Sequence, residues 1–221
     1  MITFLQAVNR VLVKLREPEL SSFSALSAYP KLISAFVNEA KEEVEAAWDW
    51  NYQRATYTVS TVASTSTYAV TGAGSELTLE LVTQDGFIIN GPIVNTFVDA
   101  NRAITGVGAT SGTGTYVDII GIDSNGDVQI RVTPTPSSSG TITIYGRSKQ
   151  AYLDTASDSG TYIKAPWRPI VFLAYAKAVS ERGDDGGAAY DESMVDYTKA
   201  LADAVARDSK LNFRNTDWYA D

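Results

Sequence analysis

The side chains able to do chemistry in this chain are carboxylates, hydroxyls, amines and phenols, because its 221 residues include no cysteine and no histidine. Without cysteine there is no thiol nucleophile, disulfide or zinc finger, and without histidine there is no Ser-His-Asp triad. Catalysis would therefore depend on a carboxylate pair, as in glycoside hydrolysis. Glu42, Glu43 and Glu45 are a candidate group. Their spacing puts them on the polar side of a predicted helix, so we interpret them as solvated and predict no catalytic residue.

Two further kinds of motif suggest ligand sites, but both lack required residues. Residues 123–127, Asp-Ser-Asn-Gly-Asp, resemble the start of a calcium loop, yet Val128 stands where glycine is required and Pro134 where the closing glutamate belongs. A hairpin turn is the better interpretation. The glycine clusters at 72–74 and 106–108 lack the following helix and the Lys-Ser/Thr pair of a phosphate-binding loop. The sequence therefore predicts no metal and no cofactor.

Charge and hydropathy exclude further classes of protein. The formal net charge is −8. Tight binding to nucleic acid requires lysine and arginine to displace counterions from phosphates, so this charge disfavours a DNA-binding role. The sequence has no run of about 18 apolar residues, and its first ten residues lack the pattern of a secretory signal. We therefore expect no membrane span, and synthesis in a cytoplasm.

The first fifty residues have helical periodicity. Residues 3–16 form a predicted amphipathic helix, which Thr3 caps and which ends before Pro18, because the residue preceding proline is pushed out of the helical conformation. A second helix is predicted over residues 30–50. Pro30 is expected to be its first residue, where proline is favoured.

The last sixty residues are also helical in pattern, with predicted helices over residues 166–182 and 188–209 joined by a short turn. Neither end of the chain can bury its apolar stripe by itself, so the two ends must meet. The predicted fold class is α+β. An antiparallel helical bundle is built from both chain ends, residues 1–52 plus 161–210, and an antiparallel β domain is inserted at residues 53–150.

The predicted insert alternates apolar and polar residues and is rich in Gly, Ser, Thr and Val. Asn125-Gly126 between two alternating runs is its strongest hairpin signal. Leu77, Leu79 and Leu81 are expected to share one face of a strand. An antiparallel meander or sandwich is predicted. The candidate strands are residues 54–62, 77–81, 87–89, 93–98, 116–122, 127–132 and 141–147.

Residues 211–221 have no helical or strand period, yet they carry Phe213, Trp218 and Tyr219. Aromatic rings on a polar segment gain stability only by burial against another surface. Three interpretations stay open: the segment packs on its own domain, it docks on a partner, or it is disordered and without function. We predict a docking tail with these three rings as the partner-binding residues.

The two flanks together resemble a known family, tail tubular protein A, the head-to-tail adaptor of short-tailed phages. The resemblance is confined to the flanks, and the β-rich middle departs from it. The matching segments lie at helix starts, ends and turns: Phe4-Leu5-Gln6-Ala7-Val8-Asn9-Arg10-Val11-Leu12, Leu15-Arg16-Glu17-Pro18, Trp48-Asp49-Trp50, Pro166-Trp167, Gly183-Asp184 and the Tyr- and Ala-rich helix at 190–206.

The resemblance implies a function as well as a fold. In that family a helical bundle carries an inserted β domain, and many copies, commonly twelve, form a ring beneath the portal that continues the DNA channel. The chain is therefore expected to be a structural virion protein and not an enzyme. The implied location is the virion neck, between head and tail, after synthesis in the host bacterial cytoplasm. The implied partners are the portal protein, the tail nozzle protein and further copies of the chain, with DNA passing through without specific binding.

Two other functions stay open. A carboxylate-based cell-wall hydrolase carried on the tail would need a buried carboxylate pair in a cleft. A carbohydrate-binding or adhesin module would need an exposed aromatic platform on the β insert. The first alternative is tested by where the acidic side chains lie in the fold.

Overall fold

The computed structural model describes residues 1–24, 27–89, 111–112, 116–183 and 187–210. These residues contain four α-helices and mostly antiparallel strands, so the predicted α+β class is confirmed. The chain divides into two compact units. One consists of residues 1–52 with the described residues from 150 onward, and the other of residues 53–149. The helices belong to the first unit and the strands to the second.

The helices are α1 (Phe4–Lys14), α2 (Ala28–Ala46), α3 (Trp167–Glu181) and α4 (Ala188–Ser209). All four lie in the regions where the sequence predicts helices. Residues 184–186 of the predicted turn before α4 lie outside the described residues. None of the helices within the described ranges has the length and apolar composition that crossing a bilayer requires.

The predicted ends of α2 are wrong by a few residues. The helix begins at Ala28 after Ser27 as its N-cap residue, so Pro30 is the third helical residue and not the first. Proline is compatible with this place because the amides of the first helical turn have no partner inside the helix. The helix ends at Ala46. Trp50 lies beyond it, buried, with its indole N–H donating to the Val44 carbonyl oxygen at 2.7 Å.

Hydrogen bonds at both ends define α1. The Thr3 hydroxyl accepts from the Gln6 amide at 3.2 Å and the Gln6 side chain accepts from the Thr3 amide at 3.0 Å, which is a capping box. At the other end, Arg16 adopts a left-handed φ of 61°. Its amide donates to the Val13 carbonyl, and the next amide donates to the Leu12 carbonyl at 2.9 Å. This is a Schellman motif with arginine where glycine is usual, so the helix already ends before Pro18.

Replacing Arg16 by glycine is therefore expected to stabilise the helical unit by about 1 kcal/mol, because it removes the Cβ that opposes the left-handed conformation. Urea unfolding followed by tryptophan fluorescence measures the change. Arg16→Ala is the matched control, since it removes the same charge and keeps the Cβ. An equal gain in both variants would show that the backbone conformation is not the cause.

Helix α3 lies at the centre of the helical unit and contacts α1, α2 and α4. It is buried over most of its circumference, as a helix in contact with three others must be. Its buried residues are Pro169, Ile170, Val171, Leu173, Ala174, Ala176, Ala178 and Val179. Helix α4 instead packs through one seam of half-buried side chains, Tyr190, Met194, Tyr197, Leu201 and Ala204, as its spacing predicts. The opposite side of α4 is exposed.

The strands of the second unit are β1 (Arg54–Thr61), β2 (Thr67–Ala69), β3 (Thr78–Gln84), β4 (Phe87–Ile89), β5 (Ser111–Gly112), β6 (Tyr116–Ile122), β7 (Val128–Thr133), β8 (Thr135–Pro136) and β9 (Gly140–Arg147). One antiparallel sheet has the order β1-β9-β3-β4 and a second has the order β2-β7-β6, while β5 and β8 form a short parallel pair. Apolar side chains from both antiparallel sheets share one core, as in a sandwich. The strand predicted at 93–98 lies outside the described residues.

The first and last strands of this unit are neighbours along their full length. Arg54 pairs with Arg147 at one end of the ladder, and Thr61 pairs with Gly140 at the other. The Ser148 amide also donates to the Gln53 carbonyl oxygen at 2.9 Å. The unit therefore starts and finishes on adjacent strands.

The expected alternation in β3 is wrong at Leu81. Leu77 and Leu79 are buried as predicted, but Leu81 is exposed and Val82 is buried instead. A β-bulge between Leu79 and Leu81 changes the register against β9, so the faces exchange beyond it. The bulge lies beside Gly146, where a Cβ would come within 2.5 Å of the Thr78 carbonyl oxygen.

Candidate functional site

One of the three residues of the acidic cluster on α2 does not lie as the sequence predicts. Glu42 and Glu43 are exposed, but Glu45 is buried, so its assignment to the solvated face is wrong. Its carboxylate lies 3.1 Å from the Nζ atom of Lys41, and both side chains are completely buried. Asn38, one turn before Lys41, and Ser34, two turns before it, are buried too. These four polar residues form a continuous row along α2 at helical spacing.

This buried row binds the backbone of residues 150–153. The Asn38 side chain accepts from the Leu153 amide at 3.0 Å and donates to the Leu153 carbonyl at 2.9 Å. Lys41 donates to the Gln150 carbonyl at 2.6 Å, and the Gln150 amide donates to Glu45 at 3.3 Å. The row therefore satisfies backbone groups that would otherwise be buried without partners. These contacts give the row a structural role in the helical unit.

Two carboxylates are buried among the described residues, and each is paired with a cation. Glu45 faces Lys41 in the helical unit, and Asp118 lies 3.2 Å from Arg131 in the β unit. A carboxylate-based hydrolase requires two carboxylates that face each other in a cleft, whereas each of these two has a cation as its ion-pair partner. The described acidic residues also include no group of three or more arranged to hold a metal ion.

Besides the ion pair within α2, an ionic contact links α2 with α3. Lys177 lies 3.1 Å from Glu39 and 2.8 Å from Glu43. Burial would lower the pKa of Lys177, but hydrogen bonds from the two carboxylates outweigh it, so the pKa is raised. Burial, reinforced by the charge of Glu43, raises the pKa of Tyr197 on α4. Lys177 therefore stays charged and Tyr197 stays neutral at physiological pH.

Cations lie over aromatic rings where α1 meets α3. The Arg10 guanidinium lies 3.8 Å from the centre of the Trp167 ring. The Lys14 ammonium lies 4.6 Å from the Phe172 ring and 5.2 Å from the Tyr175 ring. These contacts hold two positive charges in place while both side chains remain exposed. A groove of about 750 Å³ runs along this face.

A smaller groove, of about 340 Å³, lies at the end of α4 and is lined in part by Trp50, Trp167 and Ala204. Asp208 fixes this end of the helix: its carboxylate accepts from the Trp48 indole N–H and the Asn51 amide, both at 3.2 Å. Trp48 and Trp50 are therefore packing residues of the helical unit. Sequence reasoning does not find Asp208, which shows no pattern beyond its place in the last turn.

The predicted partner-binding residues Phe213, Trp218 and Tyr219 lie outside the described residues. The structure describes the chain up to Lys210, which directly follows α4. The three rings therefore remain a prediction.

The segment 123–127 forms a hairpin turn between β6 and β7, as predicted. Gly126 has a left-handed φ of 87°. The Asp123 carboxylate accepts from the Asp127 and Asn125 amides, and these hydrogen bonds lower its pKa. Asp127 accepts from the amides of Gly72 and Gly74. The two carboxylates thus stabilise backbone turns.

The sequence matches the SU10 adaptor protein family over residues 2–216. A search of curated proteins gives no match. The family match spans both helical flanks and the β unit, so it extends beyond the flanks on which the resemblance to phage adaptors depends. That resemblance is confirmed. The chain belongs to the SU10 adaptor protein family, a family of phage head-tail adaptors.

Proposed function

We propose that this chain is the head-to-tail adaptor of a short-tailed phage, a structural protein whose copies form a ring under the portal and continue the DNA channel. The observation that carries the proposal is the family match over residues 2–216. The charge supports it, since a net charge of −8 gives a channel wall low affinity for phosphate and lets DNA pass without specific binding. The pairing of each described buried carboxylate with a cation supports a structural role.

In this proposal the chain has three parts. The discontinuous helical bundle, residues 1–52 plus 161–210, forms the ring. The inserted β domain, residues 53–150, extends outward or toward the tail nozzle protein. The docking tail, residues 211–221, binds the portal protein through Phe213, Trp218 and Tyr219. The protein is made in the cytoplasm of the host bacterium and takes its place in the virion neck.

Negative-stain electron microscopy of the chain mixed with the portal protein of its phage tests the function. We expect an additional ring of density on the portal, with a central channel wide enough for duplex DNA. Portal particles without the chain are the control. If the two samples give identical images, the proposal is wrong.

We expect assembly to depend on the portal. Each copy carries a net charge of −8, and like charges oppose close approach at low ionic strength, so the isolated chain should be monomeric. Docking on a preformed portal ring would hold the copies side by side and supply the missing contacts. Light scattering with and without portal measures the difference. A closed ring that forms from the isolated chain and is insensitive to salt would contradict this prediction.

A further inference from the structure

The helices of the first unit differ in charge. Helix α1 carries two basic side chains, Arg10 and Lys14, and no acidic one. Helix α4 carries five carboxylates against two basic side chains. A protein with a large net negative charge therefore has one helix with a positive surface and another with a negative surface.

The two helices also share a pattern around an exposed valine. Val13 on α1 is 51% exposed, with Arg10 three residues before it and Lys14 one residue after it. Val195 on α4 is 67% exposed, with Glu192 and Asp196 at the same two positions. The spacing is identical and the charges are opposite. In an α-helix these two positions are one turn apart, so the two charges lie next to each other along one side of the valine.

The shapes of the two surfaces agree with their opposite charges. Val13, Arg10 and Lys14 line the groove of about 750 Å³ between α1 and α3. Beyond Val195, the outward side of α4 carries the exposed Lys199 and then two small exposed side chains, Ala202 and Ala206. A helix with small side chains can lie in such a groove, with its apolar side chains against the floor of the groove and its charged side chains at the edges.

We propose that α4 of one copy lies in the α1–α3 groove of a second copy, with Val195 against Val13 and with Glu192 and Asp196 facing Arg10 and Lys14. This inference rests on the proposed ring and identifies the surfaces that join its copies. The contact is head-to-tail: each copy uses its groove on one side and its α4 on the other. Contacts of this kind repeat from copy to copy and close into a ring when the rotation permits.

The charge distribution favours this arrangement over a symmetric one. Two α4 faces apposed to each other would bring carboxylates together, and two α1 faces would bring cations together, and both are repulsive. Only the mixed contact is attractive. Its strength is limited by the net charge of each copy, so it is weak in the isolated chain and becomes stable where a portal holds the copies side by side.

Disulfide trapping tests the contact directly, because the chain has no cysteine of its own. A chain with Val13→Cys is mixed with a chain with Val195→Cys and oxidised, since a covalent bond accumulates even a weak and transient contact. We expect at least a tenfold higher yield of cross-linked heterodimer than with Val13→Cys and Val62→Cys. Val62 is the matched control, a valine 57% exposed in the β unit. Equal yields would overturn the proposal.

Charge exchange provides the second test. Arg10→Glu with Lys14→Glu in the Val13→Cys chain should reduce the yield to the control level. Adding Glu192→Lys and Asp196→Lys to the Val195→Cys chain should restore it, which loss of folding could not do. Failure of this rescue would overturn the proposal. If the chain assembles on the portal while the two cysteines fail to cross-link, the contact is wrong and the proposed function stands.

Discussion

Replacing Glu45 by alanine should lower the free energy of unfolding of the helical unit by about 3 to 5 kcal/mol, because it leaves the completely buried Lys41 ammonium without its carboxylate. The same change removes the acceptor of the Gln150 amide. Urea unfolding followed by tryptophan fluorescence is a suitable measurement. Of the four tryptophans in the chain, Trp48, Trp50 and Trp167 lie in the helical unit and Trp218 in the tail, so the signal does not come from the β unit.

Glu42→Ala is the matched control for this measurement. It makes the same chemical change on the same helix at an exposed position, so the stability should change by less than about 0.5 kcal/mol. The double variant Lys41→Met with Glu45→Leu should lower the free energy of unfolding less than Glu45→Ala does, because it leaves no unpaired charge buried. Similar small losses for Glu45→Ala and Glu42→Ala would contradict the buried ion pair.

Deleting residues 211–221 should abolish attachment to DNA-filled heads and leave the melting temperature nearly unchanged. The described apolar cores of both units consist of residues up to Val205, so the deletion removes none of their members. Phe213, Trp218 and Tyr219 are lost together, and truncating an aromatic anchor at an interface commonly costs on the order of 2 kcal/mol or more. The loss is repeated in every copy of a ring, so assembly should respond steeply.

The triple variant Phe213→Ala, Trp218→Ala and Tyr219→Ala separates the rings from the length of the tail. It should fail to attach as the deletion does, whereas Asn212→Ala with Asn215→Ala should attach normally. Attachment is measured by co-sedimentation with heads, and folding by the melting temperature. A deletion that unfolds the helical unit would place the rings in the protein's own core. Heads that still seal and acquire tails would show that the docking hypothesis is wrong.

Amphipathic spacing predicts α1 and α4 well, and a capping residue marks the start of α1, because both signals act locally. Thr3 caps α1 through Gln6, three residues away, and the seam of α4 follows from its own spacing. The polar row on α2 could not be predicted in this way. Lys41 and Glu45 are of residue types that normally face solvent, and their burial depends on residues 150–153, more than a hundred positions later in the chain.

The strands and the two valine surfaces also combine features that local sequence predicts with features that depend on distant residues. Leu81 follows the expected alternation, but the register is set by pairing with β9, and the bulge beside Gly146 reverses it. The opposite charges around Val13 and Val195 can be read in the sequence. Their significance depends on the exposure of both valines, which only the packing of the four helices determines.

The pairing of Arg54 with Arg147 has a consequence for evolution. Because β1 and β9 are adjacent antiparallel strands, the two points at which the β unit joins the rest of the chain are only about 5 Å apart. A single short turn could bridge that gap, so a phage could lose, acquire or exchange this unit by recombination without altering the spacing of the flanking helices. Related phages could in this way keep one neck scaffold while varying the module it carries.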